Sequence, residues 1–482
     1  MIAGPESRHE RLSALDAGFL DLDVPTAPMQ VGSVSIFSGK VPTQRELADL
    51  IGSHLDRVPR YAQKLAAVPL GLGRPFWVDD PGFDLDRHVL LTSLPRPGLP
   101  ELRRLAADLF ARPLDRGRPL WEYWLVDGVG RGRFAVVTKT HHCMIDGVSG
   151  VDLVSALMET DRRVRRTRSP VSFTPRPAPG AIARVRDALG DQLARPFGLA
   201  VEAFKPGTEG RRALEEIAGG LGPLVDIGKM GPAPASCLNR PVGLSRRWEM
   251  VSIGLAEVKR VRAALGGTVN DVLLAVVAGG LRRLLLSRKE TIGGPLRVLV
   301  PVSVRAPEER GALGNRVAAL FCPLPVDEPD PLSRLRVVSS ATKGLKESRQ
   351  AVGAMALTRL GDFAPPTLAA LATRLQAAAP WYNVVVTNVP GPQVPLYLLG
   401  RRLLACHPAV PLTATTTVSV ALLSYNGSID LGLLGDGEQA ADLAVLARAV
   451  RFSLRELVAL AGAAGEAGEA RDAMEAREDE DR

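Results

Sequence analysis

The residues best placed to do chemistry in this chain are His141-His142-Cys143-Met144-Ile145-Asp146-Gly147. They fall where a strand-like run, RFAVVTKT, ends and a helix-like run, VSGVDLVSALM, begins. Such an edge presents side chains to a ligand while the flanking elements hold the backbone. By composition, HHxxxDG arises by chance in on the order of one in a thousand chains this long, so the spacing is fairly specific. Three readings are open. In the first, an imidazole with an ordinary pKa near about 6.5 is largely neutral at cellular pH. It can take a proton from an alcohol whose oxygen attacks an acyl carbon. A metal site would need side chains converging on one point, yet adjacent residues leaving a strand project to opposite faces, and no third His or HExxH lies nearby. In a purely structural arrangement, a core His would be hydrogen-bonded and Asp146 would cap the next helix. Ser149 sits in GVSG and no GxSxG elbow occurs, so a covalent serine mechanism lacks its signature.

The elements that must position this loop alternate between strand and helix. Before it, MQVGSVSIF reads as a strand, and TQRELADLIGSHLDRV has helical spacing through Leu47, Leu50, Ile51 and Leu55. LPELRRLAADLFARP is a second helix, ended by Pro113. PLWEYWLVDGV and RFAVVTKT form two strands joined around Gly128 to Gly132. After the loop the composition changes: RRVRRTRSPVSFTPR holds six arginines and no acid, and Pro- and Gly-rich sequence follows. Residues 161–241 are therefore expected to be a partly helical crossover linker. From Arg246 the alternation resumes with a strand (WEMVSIGL), two helices (AEVKRVRAAL, TVNDVLLAVVAGGLRRLLL) and a buried strand (LRVLVPVSVR). WYNVVVTNV is a further strand, TTTVSVALLSYNGSIDLGLLG a hairpin turning at Asn426-Gly427, and AADLAVLARAVRFSLRELVAL the last helix. This pattern predicts an α/β or α+β chain with domains at 1–160 and 242–465, and a disordered acidic tail at 466–482.

Further blocks narrow the reading: LSALDAGFL at Leu12, PMQVG at Pro28, PLW at Pro119, VNDVLLAVVAGGLR at Val269, LVPVSVR at Leu299, GNRV at Gly314, TNVPGP at Thr387 and LSYNG at Leu423. With HHxxxDG, and in this order, they resemble the bacterial wax ester synthase/acyl-CoA:diacylglycerol acyltransferase family of the CoA-dependent acyltransferase superfamily. The resemblance spans about Leu12 to Leu460. It implies two chloramphenicol-acetyltransferase-like domains, each a mixed sheet flanked by helices, with an active-site tunnel between them. It also implies transfer of a long-chain acyl group from acyl-CoA to diacylglycerol or a long-chain alcohol, with no metal and no cofactor beyond the acyl-CoA co-substrate. Carried onto this chain, the resemblance makes His142 the general base and His141 its support. Asp146 becomes a structural partner of Arg305, Gly147 the turn into the helix, and Asn270 an oxyanion donor. Asp271 would cap its helix. Pro119, Leu120, Trp121, Asn388 and Gly391 are candidate substrate contacts, although each of these blocks also reads as core packing or a rigid turn. Gln30 departs from the His of PMHVG. The alternatives are a carrier-protein-dependent acyltransferase of the same superfamily and a non-catalytic lipid-droplet binding protein.

Composition bounds the rest. With 46% hydrophobic and 23% charged residues among 482, the chain is not largely disordered. Its net charge of +8 is uneven, since Glu466 to Arg482 holds eight acids and three bases, leaving +13 on the preceding 465 residues. No basic nucleic-acid motif accompanies that charge, so the expected partner is an anionic lipid surface rather than nucleic acid. Cys143, Cys237, Cys322 and Cys406 are widely spaced and are expected to be reduced thiols in the cytoplasm. A polar N-terminus argues against a signal peptide. Two uncharged stretches, Leu375 to Gly400 and Leu403 to Ile429, are broken by prolines and read as strands, which predicts peripheral rather than membrane-spanning association with the inner membrane face or lipid inclusions.

Overall fold

The computed structural model describes residues 10–144, 157–163, 173–190, 230–303, 317–347 and 380–480, together with Ala370 and Thr373. Asp146, Gly147 and Arg305 lie outside the described residues.

The first half builds β1 (Gln30–Ser38), β4 (Val89–Ser93), β5 (Trp121–Asp127) and β6 (Arg133–His141), with a small β2–β3 ribbon (Gln63–Ala66, Phe76–Asp79) to one side. The second builds β7 (Arg246–Gly254), β8 (Leu296–Ser303), β9 (Val317–Leu324), β10 (Val384–Pro390), β11 (Tyr397–Leu398), β12 (Arg401–Ala409), β13 (Val418–Tyr425) and β14 (Ser428–Asp436). Two six-stranded sheets result, ordered β11-β12-β1-β6-β5-β4 and β7-β14-β13-β10-β8-β9. Each is mixed, with β4–β5 parallel in the first and β8–β10 and β10–β13 parallel in the second. The α/β fold of two sheets flanked by helices is therefore as the sequence predicts, including the hairpins at Gly128–Gly132 and Asn426-Gly427.

One connection was not foreseen. Residues 397–409, within the stretch expected as the second domain, cross back to extend the first sheet, with Ser35 opposite Cys406 and Ser33 opposite Pro408. The crossing brings β12 against β14, where a Cβ on Gly432 would lie only 1.9 Å from the Pro408 carbonyl, so no larger residue fits there. Cys406 N–H donates to the buried Asp430 carboxylate at 2.8 Å, and His407 Nδ1 meets Leu431 O at 3.0 Å. The two sheets are thus joined by backbone-level contacts.

Helices α1 (Ala14–Leu22), α2 (Gln44–Gly52) and α3 (Leu99–Ala111) pack with the first sheet. Helices α4 (Leu255–Leu265), α5 (Val269–Ser287), α6 (Pro331–Glu347) and α7 (Leu443–Glu480) cover the second. Helix α5 is apolar nearly all round and is enclosed between sheet and helices, which is where such a helix must sit in a globular core. Among the described residues no single helix is long and apolar enough to cross a membrane. The pair α4–α5 reaches that length only across a 102° bend. Helix α7 runs on to Glu480, through a segment rich in Ala, Glu, Arg and Met, which are strong helix formers whatever their net charge.

Candidate active site

Strand β6 ends at His141, and the two histidines then part company. His141 is buried, 2% exposed, with its backbone N–H on Leu120 O at 2.9 Å. Its Nδ1 accepts the Cys143 N–H at 3.1 Å, which places the ring proton on Nε2. That Nε2 faces Asp23 Oδ2 at 3.5 Å, long for a hydrogen bond but close enough for electrostatic attraction. His142 is half-buried. Its backbone N–H donates to Met29 O at 2.8 Å, and its ring stacks on Phe19 with centroids 3.8 Å apart and planes 15° from parallel.

Phe19, Asp23 and Met29 all come from α1 and the turn after it. Asp23 Oδ1 takes the Met29 N–H at 2.8 Å, and Oδ2 takes Arg116 Nη2 at 2.7 Å. Arg116 also holds Leu20 O at 3.0 Å. Burial pushes the Asp23 carboxyl up, but His141, Arg116 and the Met29 N–H together bring it down to about 2. The end of α1 therefore grips both histidines, one through a carboxylate and the other through a ring face and a backbone carbonyl. The sequence reading missed this role. Its only signal was the LSALDAGFL block, in which Ser13 caps α1 and Phe19 falls near the helix's far end, with Asp23 three residues beyond the block.

The second group of candidates lies at the start of α5. Asn388 Nδ2 in β10 donates to Asn270 Oδ1 at 3.3 Å, joining two residues 118 apart in sequence. This bond engages the Asn270 carbonyl and turns its amide N–H groups elsewhere. Asp271 makes a capping box with Thr268, whose N–H it accepts at 2.8 Å, and also accepts Thr342 Oγ1 at 2.7 Å and Ser339 Oγ at 3.3 Å. It fixes the helix end that presents Asn270. Gly391 N–H reaches Ser424 Oγ at 3.2 Å, and a Cβ there would stand 2.4 Å from Ser424 O, so TNVPGP is a turn pressed against β13.

Between the two sheets lies an apolar cavity of about 110 Å³. Thr140, next to the histidine pair, and Thr387 and Val389, on either side of Asn388, all line it. Pro392, Tyr61, Tyr123, Cys406 and Tyr425 contribute further wall. Pro119, Leu120 and Trp121 do not. Trp121 is fully buried, sandwiched between Tyr61 and His88 at 4.5 Å each, with Nε1 on Tyr61 O at 2.8 Å. It stands behind the tyrosines that face the cavity, so PLW supports that wall from behind. Gln30 Nε2 ties β1 to the end of α3 through Phe110 O and Arg112 O at 2.8 and 3.0 Å, a neutral anchoring role. Among the described residues no group of three or more His, Cys, Asp or Glu could hold a metal ion.

The profile of the "Wax ester synthase/diacylglycerol acyltransferase catalytic domain" matches residues 12–273, and that of the "WS/DGAT C-terminal domain" matches residues 313–458. The chain belongs to the wax ester synthase/diacylglycerol acyltransferase family. It is an acyl-CoA-dependent O-acyltransferase of that family. The "probable diacylglycerol O-acyltransferase tgs1" of Mycobacterium tuberculosis is 36% identical over 457 residues, covering 93% of this chain and 96% of the relative. The corresponding tgs2 of the same species is 34% identical, covering 93% and 98%. Among solved structures, the wax ester synthase/diacylglycerol acyltransferase from Marinobacter aquaeolei superposes with a TM-score of 0.69 at 26% identity, covering 94% of this chain and all of that one. The first condensation domain of the calcium-dependent antibiotic synthetase, at 19% identity and a TM-score of 0.57, shares the fold.

Proposed function

We propose that this enzyme esterifies diacylglycerol or a long-chain alcohol by direct transfer from a long-chain acyl-CoA, with His142 as general base. The observation that carries the assignment is the unequal environment of the two imidazoles. His141 is buried with Nδ1 committed to Cys143 N–H and Nε2 turned to Asp23, whereas His142 is half-buried and held by ring stacking. A base must reach the hydroxyl it deprotonates, and of the two imidazoles the greater exposure of His142 supports that role. His141 and Asp23 act as positioning residues for the strand end.

The acceptor hydroxyl gives its proton to His142 as its oxygen attacks the thioester carbonyl. The tetrahedral oxyanion is stabilised by the Asn270 amide, whose carbonyl is engaged by Asn388. Collapse breaks the C–S bond, and the proton on His142 passes to the departing thiolate of CoA. The apolar cavity between the sheets takes part of an acyl chain, and the basic body of the protein meets an anionic membrane or lipid-droplet surface peripherally. Labelled palmitoyl-CoA offered with diolein or hexadecanol, followed by thin-layer separation, tests the reading. Labelled triacylglycerol or wax ester is expected, and no ester from either acceptor would refute it.

A further inference from the structure

We propose that Arg448, Arg451 and Arg455 on α7 form a binding site for a phosphate group, separate from the histidine loop. The three lie at i, i+3 and i+7 and so share one face of the helix. They line a recess of about 590 Å³ together with Ser252, Gly254, Glu257 and Ser428. A neighbouring recess of about 280 Å³ shares Arg448 and Arg451.

Three other arginines around this helix are paired with acids, and Arg334 is held by the Glu328 and Pro329 carbonyls. Arg103 pairs with Glu249, Arg283 with Glu456 and Arg288 with Asp442. Among the described residues, none of Arg448, Arg451 and Arg455 has a carboxylate within ion-pair distance. Glu257, the acid in the wall, is turned to the Gly254 N–H at 3.2 Å. Asp430 lies behind the wall, fully buried, with Oδ1 taken by Ser252 and Ser428 hydroxyls at 2.6 and 3.1 Å and Oδ2 by Cys406 N–H. Three like charges facing one concavity repel each other unless an anion joins them, and planar guanidinium groups match the paired oxygens of a phosphate.

Position argues for a link to the reaction. Asp430 is bound on one side by two serines of the arginine recess and on the other by Cys406, which lines the apolar cavity. The recess therefore backs onto the wall of that cavity. The shared chemistry is a phosphate ester, carried either by CoA or by a phospholipid headgroup. The CoA source rests on the acyl-CoA reading above; the headgroup source does not.

The test compares the full-length wild type with the triple variant R448Q/R451Q/R455Q, whose exposed positions leave the fold unchanged by circular dichroism and thermal melt. One arm measures binding of CoA and of 3′-dephospho-CoA by calorimetry. The other measures co-sedimentation with phosphatidylcholine vesicles with and without phosphatidylglycerol. A tenfold or greater loss in the CoA arm assigns the site to the nucleotide phosphates, and the same loss confined to phosphatidylglycerol vesicles assigns it to a headgroup. Either supports the proposal, and R448K/R451K/R455K should recover part of the loss. Unchanged binding in both arms, or a wild type that binds neither probe, overturns it. Ester formation by the wild type is measured beside the binding arms: turnover with neither probe bound overturns this site alone, so its failure is distinguishable from failure of the acyltransfer reading.

Discussion

Asp23→Asn tests whether α1 holds the histidine loop through a charge. The substitution keeps the shape and leaves an oxygen for the Met29 N–H, but it replaces the oxygen facing Arg116 and His141 with an NH₂ group. The wild-type carboxyl titrates at about 2 against an ordinary 3.8, a difference worth roughly 2 kcal/mol at neutral pH. The pKa is lowered in the folded protein, so this stabilisation is fully present above the ordinary value of 3.8 and is lost as pH falls through about 2. The variant should therefore unfold in urea about 2 kcal/mol more easily at pH 7, and the gap between the proteins should narrow as the pH is taken below 3.8. Because Met29 carries the His142 backbone and Phe19 its ring, kcat should fall about tenfold or more with little change in KM for acyl-CoA. Equal urea midpoints at pH 7, with kcat unchanged, would refute the argument.

Three further outcomes follow from the geometry. Asn270→Ala should lower kcat about 100- to 1000-fold with the melting temperature nearly unchanged, measured by ester formation at saturating donor. Asn388→Leu, which frees the Asn270 carbonyl to turn, should show a smaller loss of the same kind. Gly432→Ala should destabilise the protein by about 2 kcal/mol or more in a denaturant melt, since its Cβ would press on the Pro408 carbonyl where the two sheets meet.

The chemistry was legible in the sequence because it is local. HHxxxDG spans seven residues, and the strand before it declares itself by composition. The hairpin at Asn426-Gly427 and the apolar helix α5 were legible for the same reason: turn preference and periodicity act over short distances. What was hidden depends on pairing between distant segments. Nothing in RRLLACHPA announces that it lies beside β1, more than 360 residues earlier in the chain, since a strand with a proline near its end could border either sheet. Asp23 looks like any acid after a helix until the fold sets it against His141, 118 residues on. Trp121 was open in the sequence between core packing and a ligand contact, and the stacking of His88 and Tyr61 on its two faces puts it in the core.

The central claim is that His142, and not His141, removes the acceptor's proton. Ester formation from labelled palmitoyl-CoA by His142→Ala, beside His142→Gln and the wild type, tests it most directly. The account predicts a fall in kcat of about 100- to 10,000-fold in both variants, with unchanged thermal melts. Turnover within a few-fold of the wild type in a folded His142→Ala protein would contradict it.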